Sequence, residues 1–108
     1  NIINIPVDPE TDGENVKIIF NNSILPKLES FRPELLIISA GFDAHADDPL
    51  ANLNLVEEDY AWITHKLCDV AEKYCNGRLV SSLEGGYNLE ALAASVAAHV
   101  NVLMERSK

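Results

Sequence analysis

Residues 35–41 read LLIISAG and residues 79–86 read LVSSLEGG, and these two stretches predict the sheet around which the chain folds. The first opens with four consecutive apolar residues, Leu35 to Ile38, without the alternation of a half-exposed strand. Such a run is typical of a strand that is covered on both faces, as in a parallel sheet. We therefore predict that Leu35–Ser39 and Leu79–Leu83 are strands of one parallel sheet.

Helical periods fill the segments around these strands. Apolar residues recur at helical spacing from Val16 to Phe31, and because Pro26 lies inside the pattern we expect a kink there or a break into two helices. A further helix is predicted over Glu57–Asn76. Asn88 can cap a last helix, which carries an apolar stripe.

The N-terminal residues predict one more strand. Ile2–Ile5 is a short, mostly β-branched run closed by Pro6, and we expect it to join the same sheet. The alternation of strands and helices then predicts an α/β fold of three layers, a parallel sheet with helices on its faces. A chain of 108 residues suits one domain at most, and we expect no internal boundary within residues 1–108.

Composition and charge exclude several classes of partner. Eight basic residues against seventeen acidic ones give a net charge of −9, so no basic cluster could bind nucleic acid through its phosphates. No apolar run approaches the roughly 20 residues of a membrane span. Cys68 and Cys75 would lie about 10 Å apart along a helix, too far for a disulfide, so we expect free thiols and a cytoplasmic location. Because the chain begins with Asn1 and not Met, we expect a piece of a longer protein.

Two polar segments follow the predicted strands at their carboxyl ends. Residues 39–50 read SAGFDAHADDPL, and residues 83–88 read LEGGYN. Ligands of open α/β sheets bind at this edge, so parallel neighbouring strands would bring Asp43 and Tyr87 to the same edge. An acidic loop beside a glycine-flanked tyrosine is consistent with a metal-plus-acid site. An aspartate that caps its own loop and a tyrosine at the edge of the core would explain the same residues without chemistry.

These two segments, with FRPEL at residues 31–35, resemble the histone deacetylase superfamily. The resemblance is strongest to its class II and bacterial members, which include acetylpolyamine amidohydrolases and acetoin-utilisation-type proteins. It runs through nearly the whole chain and covers the C-terminal part of such an enzyme. It implies an arginase/deacetylase-like fold and a zinc-dependent amidohydrolase that removes acyl groups from acyl-lysine-like amines.

The resemblance also implies roles for individual residues. Asp43 matches an aspartate ligand of the zinc-type ion, and a carboxylate is a good zinc ligand. Tyr87 matches the catalytic tyrosine, whose hydroxyl donates to the oxygen that becomes negative in the tetrahedral intermediate. Leu50 matches a substrate-contacting residue at the pocket rim, where polyamine-selective members are expected to carry a carboxylate. Gly85 and Gly86 match the turn whose backbone lines a narrow pocket without side chains in the way.

Other polar residues receive structural roles from the same resemblance. Asp48 is expected to order its loop, and the position of His45 is not a ligand in the family. His65 and His99 lie on predicted helices and are expected to be surface or packing residues. Val56 stands where relatives often carry a threonine that caps the following helix.

Two motifs of the family are missing from these residues. The sequence contains no His-His dipeptide, the family's general base, and lacks the earlier Asp-x-His pair of zinc ligands. A single carboxylate cannot hold a catalytic zinc, and without a base its water is not activated. We therefore expect an inactive segment that needs the N-terminal remainder of a deacetylase domain to bind acetylated lysine or another acylated amine. The alternative is a non-catalytic α/β remnant that binds a partner through its exposed sheet edges.

Overall fold

A computed structural model describes residues 1–107 of the chain. Four α-helices and two strands alternate along these residues, with a π-helical turn between the first two helices. Their bounds are α1 Gly13–Ile19, the π-helical turn Phe20–Ile24, α2 Leu25–Phe31, β1 Leu36–Ala40, α3 Glu57–Tyr74, β2 Leu79–Leu83 and α4 Leu89–Arg106.

The two strands form a parallel sheet, and α3 connects one strand to the other. Leu36 lies opposite Leu79, and the register continues to Ala40 opposite Leu83. The prediction of an α/β fold with a parallel sheet is confirmed, and β2 has the predicted bounds. Helices α3 and α4 pack extensively against each other, and Ala71 of α3 lies in one buried cluster with Leu36 of β1. Alternate residues of β1 therefore point into the core, where Leu36 and Ala40 are buried.

The opposite face of the sheet is open in the described part of the chain. Ile37 is 65% exposed and Val80 is 55% exposed, although both are apolar strand residues. The continuous apolar run of β1 predicted cover on both faces, whereas residues 1–107 cover only one. The sequence of the strand is thus more apolar than its surroundings in this segment require.

The predicted strand over Ile2–Ile5 is wrong. These residues form no strand, and Ile2 is 82% exposed. They lie along α2 and line an open groove with Ile24, Leu28 and Phe31. A β-branched run favours an extended backbone, but a strand also needs a neighbouring edge to pair with, and α2 offers none.

The break predicted near Pro26 is confirmed. Pro26 lies in the first turn of α2, directly after the π-helical turn. Because proline has no backbone N–H and crowds the carbonyl four residues earlier, a regular α-helix cannot run through it. The wider π-helical turn accommodates this conflict.

Helix α3 is the long crossover of the fold. It ends at Tyr74, two residues before the predicted end at Asn76, because Asn76 and Gly77 both adopt positive φ angles that close the helix. Cys68 and Cys75 are both buried free thiols, as predicted. Of the helices within residues 1–107, none combines the length and the apolar character that a membrane crossing needs.

Candidate functional site

Two loops leave the carboxyl ends of the strands and meet there. We name residues 41–56 the Asp loop and residues 84–88 the Tyr loop. The Glu84 N–H donates to the Ala40 carbonyl at 2.9 Å, and the Phe42 N–H donates to the Gly85 carbonyl at 2.8 Å. These bonds extend the sheet ladder beyond the strands, so the loops start side by side.

Asp43 lies directly against the backbone of the Tyr loop. A methyl group placed on Gly85 would lie 3.2 Å from Asp43 Cγ and 3.3 Å from Oδ1, and one on Gly41 would lie 3.2 Å from Oδ1. The carboxylate therefore rests in a cradle of two glycine backbones, where a side chain at either position would crowd it. The sequence predicts that Asp43 and Tyr87 lie at the same edge of the sheet, and the structure places Asp43 against the turn that precedes Tyr87.

Phe42 anchors the Asp loop in the hydrophobic core. Its ring is buried and packs edge to face on Tyr60, with centroids 5.0 Å apart, and on His99 at 5.7 Å. Burial, and the negative charge of Asp43, raise the pKa of the Tyr60 hydroxyl well above its usual range, so that hydroxyl stays protonated. The residue after the Phe42 anchor, Asp43, is thereby held at the surface end of a rigid core.

Tyr87 lies between two residues that fix its backbone. Gly86 has φ 141°, and a methyl group there would lie 2.6 Å from Leu92 Cδ1. Asn88 caps α4, because its Oδ1 accepts from the Ala91 N–H at 2.9 Å. Tyr87 itself is 55% exposed, so its side chain is accessible to a ligand.

Asp48 joins the two loops. Its Oδ1 accepts from the Leu50 N–H at 2.9 Å, and its Oδ2 accepts from the Tyr87 N–H at 2.8 Å. Burial raises the pKa of this carboxyl, but backbone N–H groups of four residues outweigh it and hold the pKa below its usual range. Leu50, the predicted rim residue, is 65% exposed beside this bridge.

His45 braces the Asp loop on the other side. The Asp47 N–H donates to His45 Nδ1 at 3.0 Å, which leaves the ring proton on Nε2. Nε2 lies 3.3 Å from Glu57 Oε1, at the start of α3. A hydrogen bond from its own backbone lowers the pKa of Glu57, and His45 adds to this against the effect of burial. Nδ1 therefore holds the loop, whereas Nε2 lies close to Glu57 without the geometry of a hydrogen bond.

His99 connects three elements beneath the site. The Thr64 hydroxyl donates to the Tyr60 carbonyl at 2.6 Å, so it accepts from His99 Nδ1 at 2.8 Å. His99 Nε2 then accepts from the Ser81 hydroxyl at 2.8 Å. Burial lowers the pKa of His99, which keeps the ring neutral. The packing role expected of His99 is observed.

A metal ion needs more ligands than these residues supply. Within residues 1–107, no three His, Cys, Asp or Glu side chains cluster closely enough to hold one. Asp43 therefore belongs to no such group among the described residues. The described residues therefore do not by themselves fit a metal centre, although Asp43 is accessible at the sheet edge as one ligand.

The arrangement brings together most of the predicted site residues. Asp43 and Gly85 are in contact, and Tyr87 and Leu50 are both bonded to Asp48. The sequence indicated that Asp48 orders its own loop, and an Asp-Pro-Leu turn is a recognisable signal for that bond to Leu50. The bond from Asp48 to Tyr87 spans distant parts of the chain, and no local pattern predicts it.

Residues 1–103 match the histone deacetylase domain. The type-2 histone deacetylase 1 of Dictyostelium discoideum is 50% identical over 97% of this chain and 7% of its own length. The histone deacetylase-like amidohydrolase of Pseudomonas aeruginosa is 38% identical over 80% of this chain and 23% of its own length. The chain thus spans a small part of the curated relatives it matches.

Solved structures agree with this match. The crystal structure of the HDA15 HD domain superposes with a TM-score of 0.83 at 35% identity, over 91% of this chain and 27% of that chain. The structure of the histone deacetylase Clr3 gives a TM-score of 0.82 at 30% identity, over 91% of this chain and 16% of that one. By its sequence match over residues 1–103 and by its fold, the chain belongs to the histone deacetylase family.

Proposed function

We propose that the chain is a segment of a zinc-dependent deacetylase, an amidohydrolase that removes acyl groups from acyl-lysine-like amines. One observation carries the proposal. The Asp43 carboxylate rests on the Gly85 backbone at the same sheet edge from which Tyr87 projects. A metal ligand and an acidic hydroxyl on adjacent strand ends are what amide hydrolysis at a metal needs.

In this proposal each residue has one task. Asp43 contributes one carboxylate ligand, and a zinc-type ion, when bound, supplies a Lewis acid for the amide carbonyl. The Tyr87 hydroxyl donates to the carbonyl oxygen as it becomes negative. The backbone of Gly85 and Gly86 lines the narrow pocket without side chains in the way, and Leu50 contacts the substrate at the rim.

The segment is proposed to be inactive alone. It offers one ligand, and it has no His-His pair to act as a base. We propose that the remaining ligands and the base come from the N-terminal part of the deacetylase domain. The open sheet face around Ile37 and Val80 supports this, because an apolar strand face of a soluble α/β domain is normally covered. Because Cys68 and Cys75 form no disulfide with each other, we also propose a cytoplasmic location.

The same open face favours one alternative, a non-catalytic module that binds a partner protein there. The two functions differ in what the adjoining reading frame encodes. A contiguous upstream frame with His-His and Asp-x-His motifs supports the deacetylase. A start codon directly before Asn1 supports the interaction module.

Zinc titration and turnover of an acetyl-lysine peptide test the proposal on the segment and on the intact protein. We expect no turnover and no tight zinc site in the segment. In the intact protein, Asp43→Ala should abolish zinc binding, whereas Tyr87→Phe should keep the metal and lower kcat by roughly 10²–10³-fold. Chelator-sensitive turnover by the segment alone, or full activity of Tyr87→Phe, would contradict the proposal.

A further inference from the structure

Asp48 uses its two carboxylate oxygens for two different loops. Oδ1 accepts from the Leu50 N–H in the Asp loop, and Oδ2 accepts from the Tyr87 N–H in the Tyr loop. The backbone N–H groups of Ala51 and Asn88 also stabilise its negative charge. One carboxylate thus connects the candidate rim to the backbone of the candidate catalytic residue.

The environment of Asp48 is built for a carboxylate. The residue is buried, yet it takes part in no ion pair with the Lys, Arg or His side chains of residues 1–107. Converging backbone N–H dipoles replace a cation as the stabilising partner. Hydrogen bonds to an ionised acceptor are about twice as strong as neutral ones, so this bridge is stiff.

The position of the Tyr87 hydroxyl depends on this bridge. Its ring is mostly exposed, so side-chain packing does little to hold it. Gly86 turns the chain into position, Asn88 starts α4, and Asp48 holds the N–H of the residue between them. The orientation of Tyr87 is therefore set through its backbone, and that backbone is fixed by Asp48 of the Asp loop.

We propose that Asp48 is a positioning residue for the deacetylase reaction, which holds the Leu50 rim and the Tyr87 hydroxyl as one rigid unit. The inference rests on the proposed catalytic role of Tyr87. It adds that the loop that contacts the substrate also sets where the hydroxyl lies. The loop-ordering role that the family resemblance implies for Asp48 does not include this link.

Asp48→Asn in the intact protein tests the proposal. Asparagine keeps the size but offers one acceptor and one NH₂ group, so one of the two N–H donors faces another donor. Because a misplacement of about 1 Å can lower a rate by about 10²-fold, we expect a fall of that order in kcat on an acetyl-lysine peptide. Asp47→Asn is the matched control, since it removes the same charge from an exposed neighbour. It should leave kcat and KM unchanged.

A double-variant cycle separates positioning from general loss of structure. If Asp48 acts through the Tyr87 hydroxyl, adding Asp48→Asn to Tyr87→Phe should change kcat by no more than roughly twofold, the usual error of such a cycle. A full second loss in the Tyr87→Phe background would overturn the inference and leave the proposed function intact. Undiminished kcat of Tyr87→Phe alone would instead refute the proposed function.

Hydrogen exchange keeps the test decisive if Asp48→Asn fails to fold. In the wild-type intact protein the Tyr87 amide should exchange far more slowly than an unbonded loop amide, because its N–H is bonded to Asp48 Oδ2. Exchange at the rate of an unprotected amide would overturn the inference. Protection at Tyr87 that Asp47→Asn leaves unchanged supports it.

Discussion

Replacing Gly85 by alanine tests the contact on which the candidate site depends. The backbone of Gly85 does not adopt a left-handed φ, so alanine introduces no backbone strain there. Its methyl group would instead lie 3.2 Å from Asp43 Cγ, 3.3 Å from Oδ1 and 3.4 Å from Oδ2. These separations are tighter than ordinary contact, and the carboxylate must yield by a few tenths of an ångström.

The expected effect follows from that displacement. A misplacement of 1 Å lowers a rate by about 10²-fold, so a few tenths of an ångström should lower kcat/KM by roughly fivefold if the logarithm of the rate scales with distance. The free energy of unfolding should change little, because Asp43 is half-buried and can shift towards solvent. Gly85→Ala should thus impair activity without impairing stability.

Gly77→Ala is the matched control with the opposite profile. Nothing lies within 4 Å of a methyl group at Gly77, but its φ of 78° disfavours any side chain. We expect it to lower the free energy of unfolding by about 1 kcal/mol and to leave kcat/KM unchanged. The assays are turnover of an acetyl-lysine peptide and urea unfolding, both on the intact protein. Wild-type kcat/KM for Gly85→Ala would refute the claim that the glycine cradle fixes Asp43.

Three further predictions concern stability and are measured by urea unfolding. Gly13→Ala should lower the free energy of unfolding by about 1–3 kcal/mol, since its methyl group would overlap the Asp59 carboxylate; an unchanged value would contradict this packing. Val56→Thr should raise it by about 1 kcal/mol, because no side chain now caps α3, and no gain would mean that the cap is already satisfied. Burial lowers the pKa of His99, so the unfolded chain binds its proton more readily and stability should fall as the pH drops below about 6.5. His99→Gln should weaken this pH dependence, and an identical pH profile would contradict it.

Local sequence patterns predicted the elements whose structure depends mainly on their own residues. The apolar run of β1 and the helical period of α3 are strong signals, because each of these elements shows its buried face in its own sequence. The break before Pro26 was predictable for the same reason, since proline acts on its own turn. The strand expected at Ile2–Ile5 failed because pairing depends on a second element, about which a local run says nothing.

The candidate site likewise combines features that local sequence patterns predict with features that depend on the fold. A parallel pair of strands implies that Asp43 and Tyr87 follow them at one edge, so their common location could be predicted. The cradle around Asp43 and the bond from Asp48 to Tyr87 could not be predicted. Both depend on how the two loops lie relative to each other in the fold. The His99 network escaped prediction likewise, since Thr64 and Ser81 are unremarkable in sequence until the fold brings them to the ring.

The two loops of the candidate site are held by contacts within the described segment. The shape of its half of the site is held by its own contacts, from the Phe42 anchor to the Asp48 bridge. The metal ligands and the base that we propose for the N-terminal part of the domain would add charge and reactivity, but they need not shape these two loops. We therefore expect the Tyr87 amide to be protected from exchange in the segment whether or not the rest of the domain is present. If protection arose only in the intact protein, the loops would be shaped by the missing part, and the independence argued from these contacts would be refuted.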